Sequence, residues 1–475
     1  MGVISGKILK LNGWPEGPLI RLAKEAADAL WRAGLDREQI LARLEAVRAS
    51  PSAFLADGEV GELAAALARA SAAPQERPED LRAAPLAYRV WGREYIDAGA
   101  LAQMDNALRL PVSAAGALMP DAHVGYGLPI GGVLAVEDAV IPYAVGVDIA
   151  CRMRLSIYPQ SPILLGQKPA IFERALLAQT RFGMGAKWEK AQRPEHPVLD
   201  DVFFYAIGVL RYLHAIAYEQ LGTSGTGNHF VEWGEFELTE PDDRLGVRPG
   251  KYLALLSHSG SRGVGFKAAE YYSKLAMDLH PRLDRAVRHL AWLDMDSEAG
   301  QEYWIAMQLC GRFASANHHV IHHRVAAAAG LEEIASVENH HNFSWVEKLP
   351  DGRRVYVHRK GATPAGPGVL GVIPGSMGDP GYVVRGRGVA EALHSAAHGA
   401  GRQMSRKQAL NTIPKKERDR YLHERGVTLL GGGMDESPQA YKRIEQIIAA
   451  QADLVEVIGR FTPRIVRMAD EPGDW

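Results

Sequence analysis

The chain has 475 residues, 47% hydrophobic and 23% charged, which is enough for a large core and too evenly mixed for a disordered or fibrous protein. Its 54 basic residues nearly cancel its 56 acidic ones, so any grip on a polyanion must come from a local groove rather than a global field. No apolar run is long enough to cross a membrane and the first residues carry no signal pattern, while two cysteines, Cys151 and Cys310, exclude a disulfide framework; together these point to a cytoplasmic protein.

At the N-terminus a Pro/Gly-punctuated entry leads into Leu19, Leu22, Ala26 and Leu30 at helical spacing. Asp36 is placed to cap a second helix with Ile40, Leu41, Leu44 and Val47 on one face, and Leu63 and Leu67 continue into a third. The Pro-rich, charged stretch from Ser71 to Pro85 reads as a linker. The expected organisation is a helical extension over 1–70, a linker over 71–86 and a larger domain over 87–475. In that larger part short β-prone runs such as YLALLSH and RVYVH alternate with Gly-rich loops and helices near Phe266–Leu279, Glu302–Ala329 and Ser437–Leu454, which predicts an α+β fold rather than a regular βαβ repeat. Cys310 falls on a helix and reads as core.

The polar clusters follow in order. MPDAHVGYGLPIGG (from Met119) precedes IPYAVGVDIACRMR, which puts Asp148 and Cys151 three residues apart between apolar flanks. A carboxylate and a thiol so spaced can reach one metal, or can be a turn residue beside a structural cysteine. GTSGTGNHFVEW supplies Asn228, His229, Phe230 and Glu232 after a glycine-rich loop, and LLSHSGSRGVG supplies His258 and Arg262 where an apolar run breaks into a polar turn. HHVIHHRV repeats histidines at i and i+4 (His318, His319, His322 and His323) and is expected to form a solvated or interface helix face. ENHHNFSW adds His340 and His341. Several histidines beside glycines and amides, with one cysteine, favour a metal site over filler. HRKGATPA holds Arg359 and Lys360, and IPGSMGDPGY holds Ser376 in a loop whose amides suit an oxyanion. In HGAGRQMSR, His398 sits beside a small-residue turn with Arg402, Ser405 and Arg406, a plausible phosphate site whose imidazole could also attack phosphorus.

The strings DAHVGYGLPIGG, GVDIAC, GNHFVE, HSGSRG, HRKGAT, IPGSMG and HGAGRxxSR stand in the order found in the RtcB family of RNA-splicing ligases, which the chain resembles from about Met119 to about Tyr441. The resemblance implies a GTP- and manganese-dependent RNA ligase that joins a 3′-phosphate or 2′,3′-cyclic phosphate end to a 5′-hydroxyl end, in RNA repair or tRNA splicing. By motif, His398 would carry GMP as a phosphoramidate, and Cys151 would bridge two manganese ions, with His258 and His341 on one and Asp148 and His229 on the other. Asn228, Phe230, Glu232, Ser376 and Tyr441 match the family's guanylate contacts; Arg402 joins them, and Arg262, Arg359, Lys360 and Arg406 are candidates for RNA or phosphate. The chain departs from the family pattern at Gly381, commonly a serine, at Ala150 and Arg152 around the cysteine, and near Arg467 and Met468, where no Lys-Gly follows; these departures bear on the strictness of GTP choice. A monomeric catalytic unit and an archease-type activator are further implications. Competing outcomes are end capping without sealing, a metal-dependent phosphohydrolase, and a non-catalytic RNA-binding relative.

Overall fold

A computed structural model describes residues 3–4, 6–14, 18–71 and 79–470. The chain divides into two compact units, one comprising Met1–Pro78 with Met295–Gln301, the other Glu79–Asp294 with Glu302–Trp475. Part of the expected linker, at 72–78, and the Pro/Gly entry at 15–17 lie outside the described residues, as do residues 471–475.

The smaller unit carries α1 (Gly6–Leu11), α2 (Pro18–Arg32), α3 (Arg37–Ala49) and α4 (Gly61–Ser71). Asp36 caps α3 with a full capping box, its side chain accepting from the Gln39 N–H while the Gln39 side chain accepts from the Asp36 N–H. The apolar stripes meet in one core of Trp14, Ala23, Leu30, Ile40, Leu44, Val60 and Leu67.

The larger unit holds, in chain order, β1 (Arg89–Val90), α5 (Ala98–Leu108), β2 (Ser113–His123), β3 (Ile130–Val136), β4 (Arg152–Tyr158), β5 (Phe230–Leu238), β6 (Gly250–Ser259), α6 (Arg262–Leu279), α7 (Glu298–Ala328, in this unit from Glu302), β7 (Ala335–His340), β8 (Asn342–Lys348), β9 (Arg354–Lys360), β10 (Leu370–Ile373), β11 (Gly381–Gly386), β12 (Thr428–Leu430) and β13 (Val455–Met468), with shorter pieces between. One sheet runs β1–β2–β3–β9–β8 and a larger one β10–β11–β13–β5–β6–β4–β7, with β12 parallel to β13. The fold is α+β.

The larger sheet is buried on both faces, which explains its polar-looking strands. On β4, Met153, Leu155 and Ile157 enter an apolar core with Phe236, Leu256 and Phe461. The alternate residues Arg152, Arg154 and Ser156 are buried too, paired with Glu338, Glu333 and His322. The His318/His322 face of α7 is therefore core, correcting the solvated face expected from sequence. His318 Nδ1 and His322 Nε2 both lie 2.7 Å from Ser257 Oγ, and His322 Nδ1 lies 2.6 Å from Ser156 Oγ, so hydroxyls of β4 and β6 satisfy the imidazoles. Only His319 and His323 face outward. Cys310 is buried on the same helix.

The helix expected over Ser437–Leu454 is also corrected. Pro438 opens a 3₁₀ turn, Tyr441 is extended (φ −107°, ψ 154°), and α-helix forms only over Ile444–Ala449. Tyr441 instead bridges to Arg402, and that bridge is part of the site.

Candidate active site and metal centre

Strands β5, β6, β4 and β7 are neighbours and antiparallel, so the start of β5, the end of β6, the start of β4 and the end of β7 share one sheet edge. His229, His258, Cys151 and His341 stand at those four termini, and Asp148 lies in the turn before Cys151. Their ligand atoms form two triplets that share the thiol, Cys151–His258–His341 and Asp148–Cys151–His229, each within 4.8 Å. Cys151 Sγ is 3.1 Å from His258 Nε2 and 3.4 Å from His229 Nε2; His258 Nε2 is 3.2 Å from His341 Nε2, and His229 Nε2 is 3.1 Å from Asp148 Oδ2.

The surroundings orient the rings. His258 Nδ1 donates to the Asn228 carbonyl at 3.1 Å, which leaves its Nε2 lone pair facing the thiol, and His229 Nδ1 lies 2.9 Å from the Ser224 carbonyl. Burial pushes His258 down to about 3 and His341 well below the usual imidazole value, so both rings are neutral, as ligands must be. Burial and the Asp148 charge push the Cys151 thiol up. Burial opposes ionisation of Asp148, but His229 and Arg262 together hold it below the usual carboxylate value. Gly260 is required here, because a Cβ would occupy the Asp148 carboxylate's place.

Three imidazoles, one thiol and one carboxylate converging in two triplets that share the sulfur make a cation site by their chemistry. The sulfur and imidazoles suit zinc or cobalt as well as manganese, so the donor set fits a divalent transition metal without choosing one.

Ala150, next to Cys151, is fully buried in the left-handed region at φ +60°, where a Cβ costs about 1–2 kcal/mol. Ala150→Gly is therefore expected to raise stability by about 1 kcal/mol, read from the shift in a urea melt. Unchanged or lowered stability would mean that the turn is not strained.

His398 follows a short strand, Ser395–Ala397, and its ring centroid is 4.7 Å from that of His341. Asp121 on β2, fully buried, accepts from His398 Nδ1 at 2.7 Å and from its main-chain N–H at 3.2 Å. That bond fixes the ring and leaves Nε2 with its lone pair. Gly401 (φ +73°) lies so close to the Asp121 carbonyl that any Cβ would collide with it. Asp121 is the functional residue sequence reading missed. Its string DAHVGYG was visible, but nothing in it shows that β2 meets the segment after Ala397.

His398 and the five metal-ligating residues line one cavity of about 1040 Å³ that also takes in Asn228, Phe230, Lys360, Ser376, Arg402, Arg406 and Tyr441. Tyr441 donates to Glu436, and Arg402 and Arg406 are each paired with Glu436. Lys360 is buried, its Nζ donating to the Tyr126 carbonyl, and desolvation lowers its pKa to about 7. Glu232, expected among the guanylate contacts, shares a β5 face with Phe230 but does not itself line the cavity; burial pushes its carboxyl well above the usual range. Gly381 does not line the cavity, whereas Met468 does.

Two expected phosphate ligands are elsewhere. Arg262 is off the cavity, its Nη1 3.1 Å from His229 Nδ1. Arg359 points to the opposite face of β9 from Lys360's side, is 1% exposed, and is held by Glu347 at 2.7 Å, the Leu393 carbonyl and Ser395. Alternation along the strand sends adjacent side chains apart, and the correction follows from that. Arg359→Ala is expected to cost about 3 kcal/mol of stability by stranding Glu347, without changing the salt dependence of RNA binding. A weaker salt slope in a stably folded variant would return Arg359 to the RNA site.

A family model described as tRNA-splicing ligase RtcB matches residues 103–469. RNA-splicing ligase RtcB of Escherichia coli (strain K12) is 33% identical over 392 residues, covering 76% of this chain and 92% of that protein. The tRNA-splicing ligase RtcB of Nanoarchaeum equitans is 31% identical over 73% of the chain and 86% of its own length, and that of Thermococcus kodakarensis 28% over 76% and 89%. No helix among the described residues is long and apolar enough to cross a membrane.

Proposed function

Because this chain belongs to the RtcB family of RNA-splicing ligases and is therefore an RNA ligase, we propose that it seals RNA 3′-phosphate or 2′,3′-cyclic phosphate ends to 5′-hydroxyl ends with GTP, through GMP carried on His398. The observation that carries this reading is His398 itself, oriented by Asp121 and lying beside two triplets of metal-ligating atoms that share Cys151.

Asp121 holds Nδ1–H, so Nε2 is the atom that attacks the α-phosphorus of GTP. The new bond is Nε2–P, the broken one is P–O to pyrophosphate, and the imidazolium that forms is stabilised by the carboxylate behind it. A 2′,3′-cyclic end must first be opened by water, which breaks the P–O2′ bond and leaves a 3′-phosphate; transfer of the guanylate to an oxygen of that phosphate regenerates the neutral ring. The 5′-hydroxyl then attacks the 3′-phosphorus and expels GMP.

Cys151, His258 and His341 would hold one divalent ion and Asp148, Cys151 and His229 the other, both manganese by family resemblance. Such ions supply charge neutralisation at the phosphate oxygens. Arg402 and Arg406, held by Glu436, would meet phosphate oxygens from the cavity wall, and Lys360, whose pKa burial lowers to about 7, would carry its proton beside such an anion. Phe230, Tyr441, Asn228 and Ser376 would seat the nucleotide. An ionised Glu232 would accept from guanine N1–H and N2–H, and that base supplies the donors its carboxyl lacks in the free protein. Met468, on the cavity wall, would lie near the base, where the family commonly presents lysine. The reading extends to a monomeric catalytic unit acting in the cytoplasm on broken or spliced RNA, helped in turnover by an archease-type activator.

The test is a labelled 3′-phosphate RNA and a 5′-hydroxyl RNA incubated with GTP and manganese. Joined product, dependent on both, is expected. Accumulation of a guanylylated 3′ end without joining would replace sealing with capping, and loss of the phosphate without GTP would replace both with hydrolysis.

A further inference from the structure

The cavity has a wall that the chemistry above does not use. The loop after β2 presents Val124 and Tyr126 at its mouth, 54% and 61% exposed, although both are large apolar side chains. The loop is tied down on both sides. Gln103 of α5 brackets Gly125, its amide nitrogen donating to the Gly125 carbonyl at 2.5 Å and its oxygen accepting from the Gly125 N–H at 3.0 Å. The Tyr126 carbonyl accepts from buried Lys360 Nζ. Tyr126 also meets the His289 ring edge-on at 6.3 Å, and Tyr143, another cavity residue, meets the same ring at 5.0 Å. Exposed apolar rings on a mobile loop are common; here two tyrosines are set around one histidine, on a loop anchored through the Gly125 N–H and carbonyl and the Tyr126 carbonyl.

We infer that Tyr126, backed by His289 and Tyr143, is a stacking platform for the terminal nucleobase of an RNA end entering the site. The inference rests on the ligase reading. An RNA end must bring its phosphate among Lys360, His398 and the metal-ligating side chains, and the base attached to that phosphate then emerges beside the residue whose carbonyl Lys360 holds. An exposed ring matches any of the four bases, which suits an enzyme that must accept ends of varied sequence. The occupant is one unpaired base; it could belong to the 3′-phosphate strand or to the 5′-hydroxyl strand.

The test uses the full-length enzyme, wild type, Tyr126→Ala and Tyr126→Trp, with RNA ends carrying either a normal or an abasic terminal nucleotide. Two partial reactions separate the strands: guanylylation of a 3′-phosphate RNA alone, and sealing of a pre-guanylylated RNA to a 5′-hydroxyl RNA. Tyr126→Ala is expected to raise KM by about tenfold for the strand whose base stacks, and Tyr126→Trp to restore it. An abasic end on that strand should weaken wild type to the same level and leave Tyr126→Ala unaffected. Formation of the GMP adduct, which needs no RNA, serves as the check on the site itself. Equal loss on normal and abasic ends, no loss on either strand, or loss of the adduct in Tyr126→Ala would overturn the platform. Absence of the adduct in wild type would remove the ligase reading beneath it, a distinct failure.

Discussion

Replacing Cys151 with alanine is expected to remove both metal positions at once, because its sulfur belongs to both triplets of ligating atoms. Each of the four other ligands belongs to one triplet, so a His341 or Asp148 variant should keep one ion where Cys151→Ala keeps none. Metal content after loading and desalting reads this directly. We expect affinity at both positions to fall by more than about 100-fold, and RNA joining to fall with it. The free thiol is held protonated by burial and by Asp148, so binding an ion must release its proton, and loading should strengthen as pH rises. Two equivalents of metal retained by Cys151→Ala would contradict the assignment. Cys310→Ala is the matched control, since Cys310 belongs to neither triplet.

The second large effect is expected from Asp121→Asn. The amide keeps the shape but can present an N–H to His398, which reverses the tautomer and places the proton on the attacking nitrogen. Adduct formation should slow by about 10²–10⁴-fold in single turnover. The KM for GTP should change little, because Asp121 is fully buried behind the ring and its Oδ2 contacts His398 rather than the cavity. A raised KM with an unchanged adduct rate would make Asp121 a binding residue instead. Lys442 donates to the Pro120 and Ala122 carbonyls on either side, so the strand carrying Asp121 is braced independently of the histidine it orients.

How much of this could be read beforehand depended on what kind of information each residue carries. Cys151, His229, His258, His341 and His398 were legible because each stands where an apolar run breaks into small or polar residues, the pattern of a strand end bearing a site. The sheet then does what a string of letters does not display, bringing four such ends to one edge. Arg359 and Lys360 show the limit. They are adjacent and both basic, yet strand alternation gives one to the cavity and the other to an internal ion pair with Glu347. The histidines of α7 show another. The i, i+4 spacing correctly puts His318 and His322 on one face, but that face is core because Ser156 and Ser257, far away in sequence, supply the hydrogen bonds. Asp121 belongs with these: its role is set by a contact 277 residues distant. In the last segment a helix is expected over Ser437–Leu454, but Tyr441 is extended and bridges to Arg402, a contact distant in sequence, so the α-helix starts only at Ile444.

The central claim is that His398 Nε2 becomes bonded to GMP. Peptide mass spectrometry of the metal-loaded protein after incubation with GTP, beside ATP and a His398→Ala control, tests it most directly. The account predicts a GMP adduct on the peptide containing His398, acid-labile as a phosphoramidate is, and absent from the control. No adduct on that peptide from either nucleotide, in protein shown to hold its metals, would contradict it.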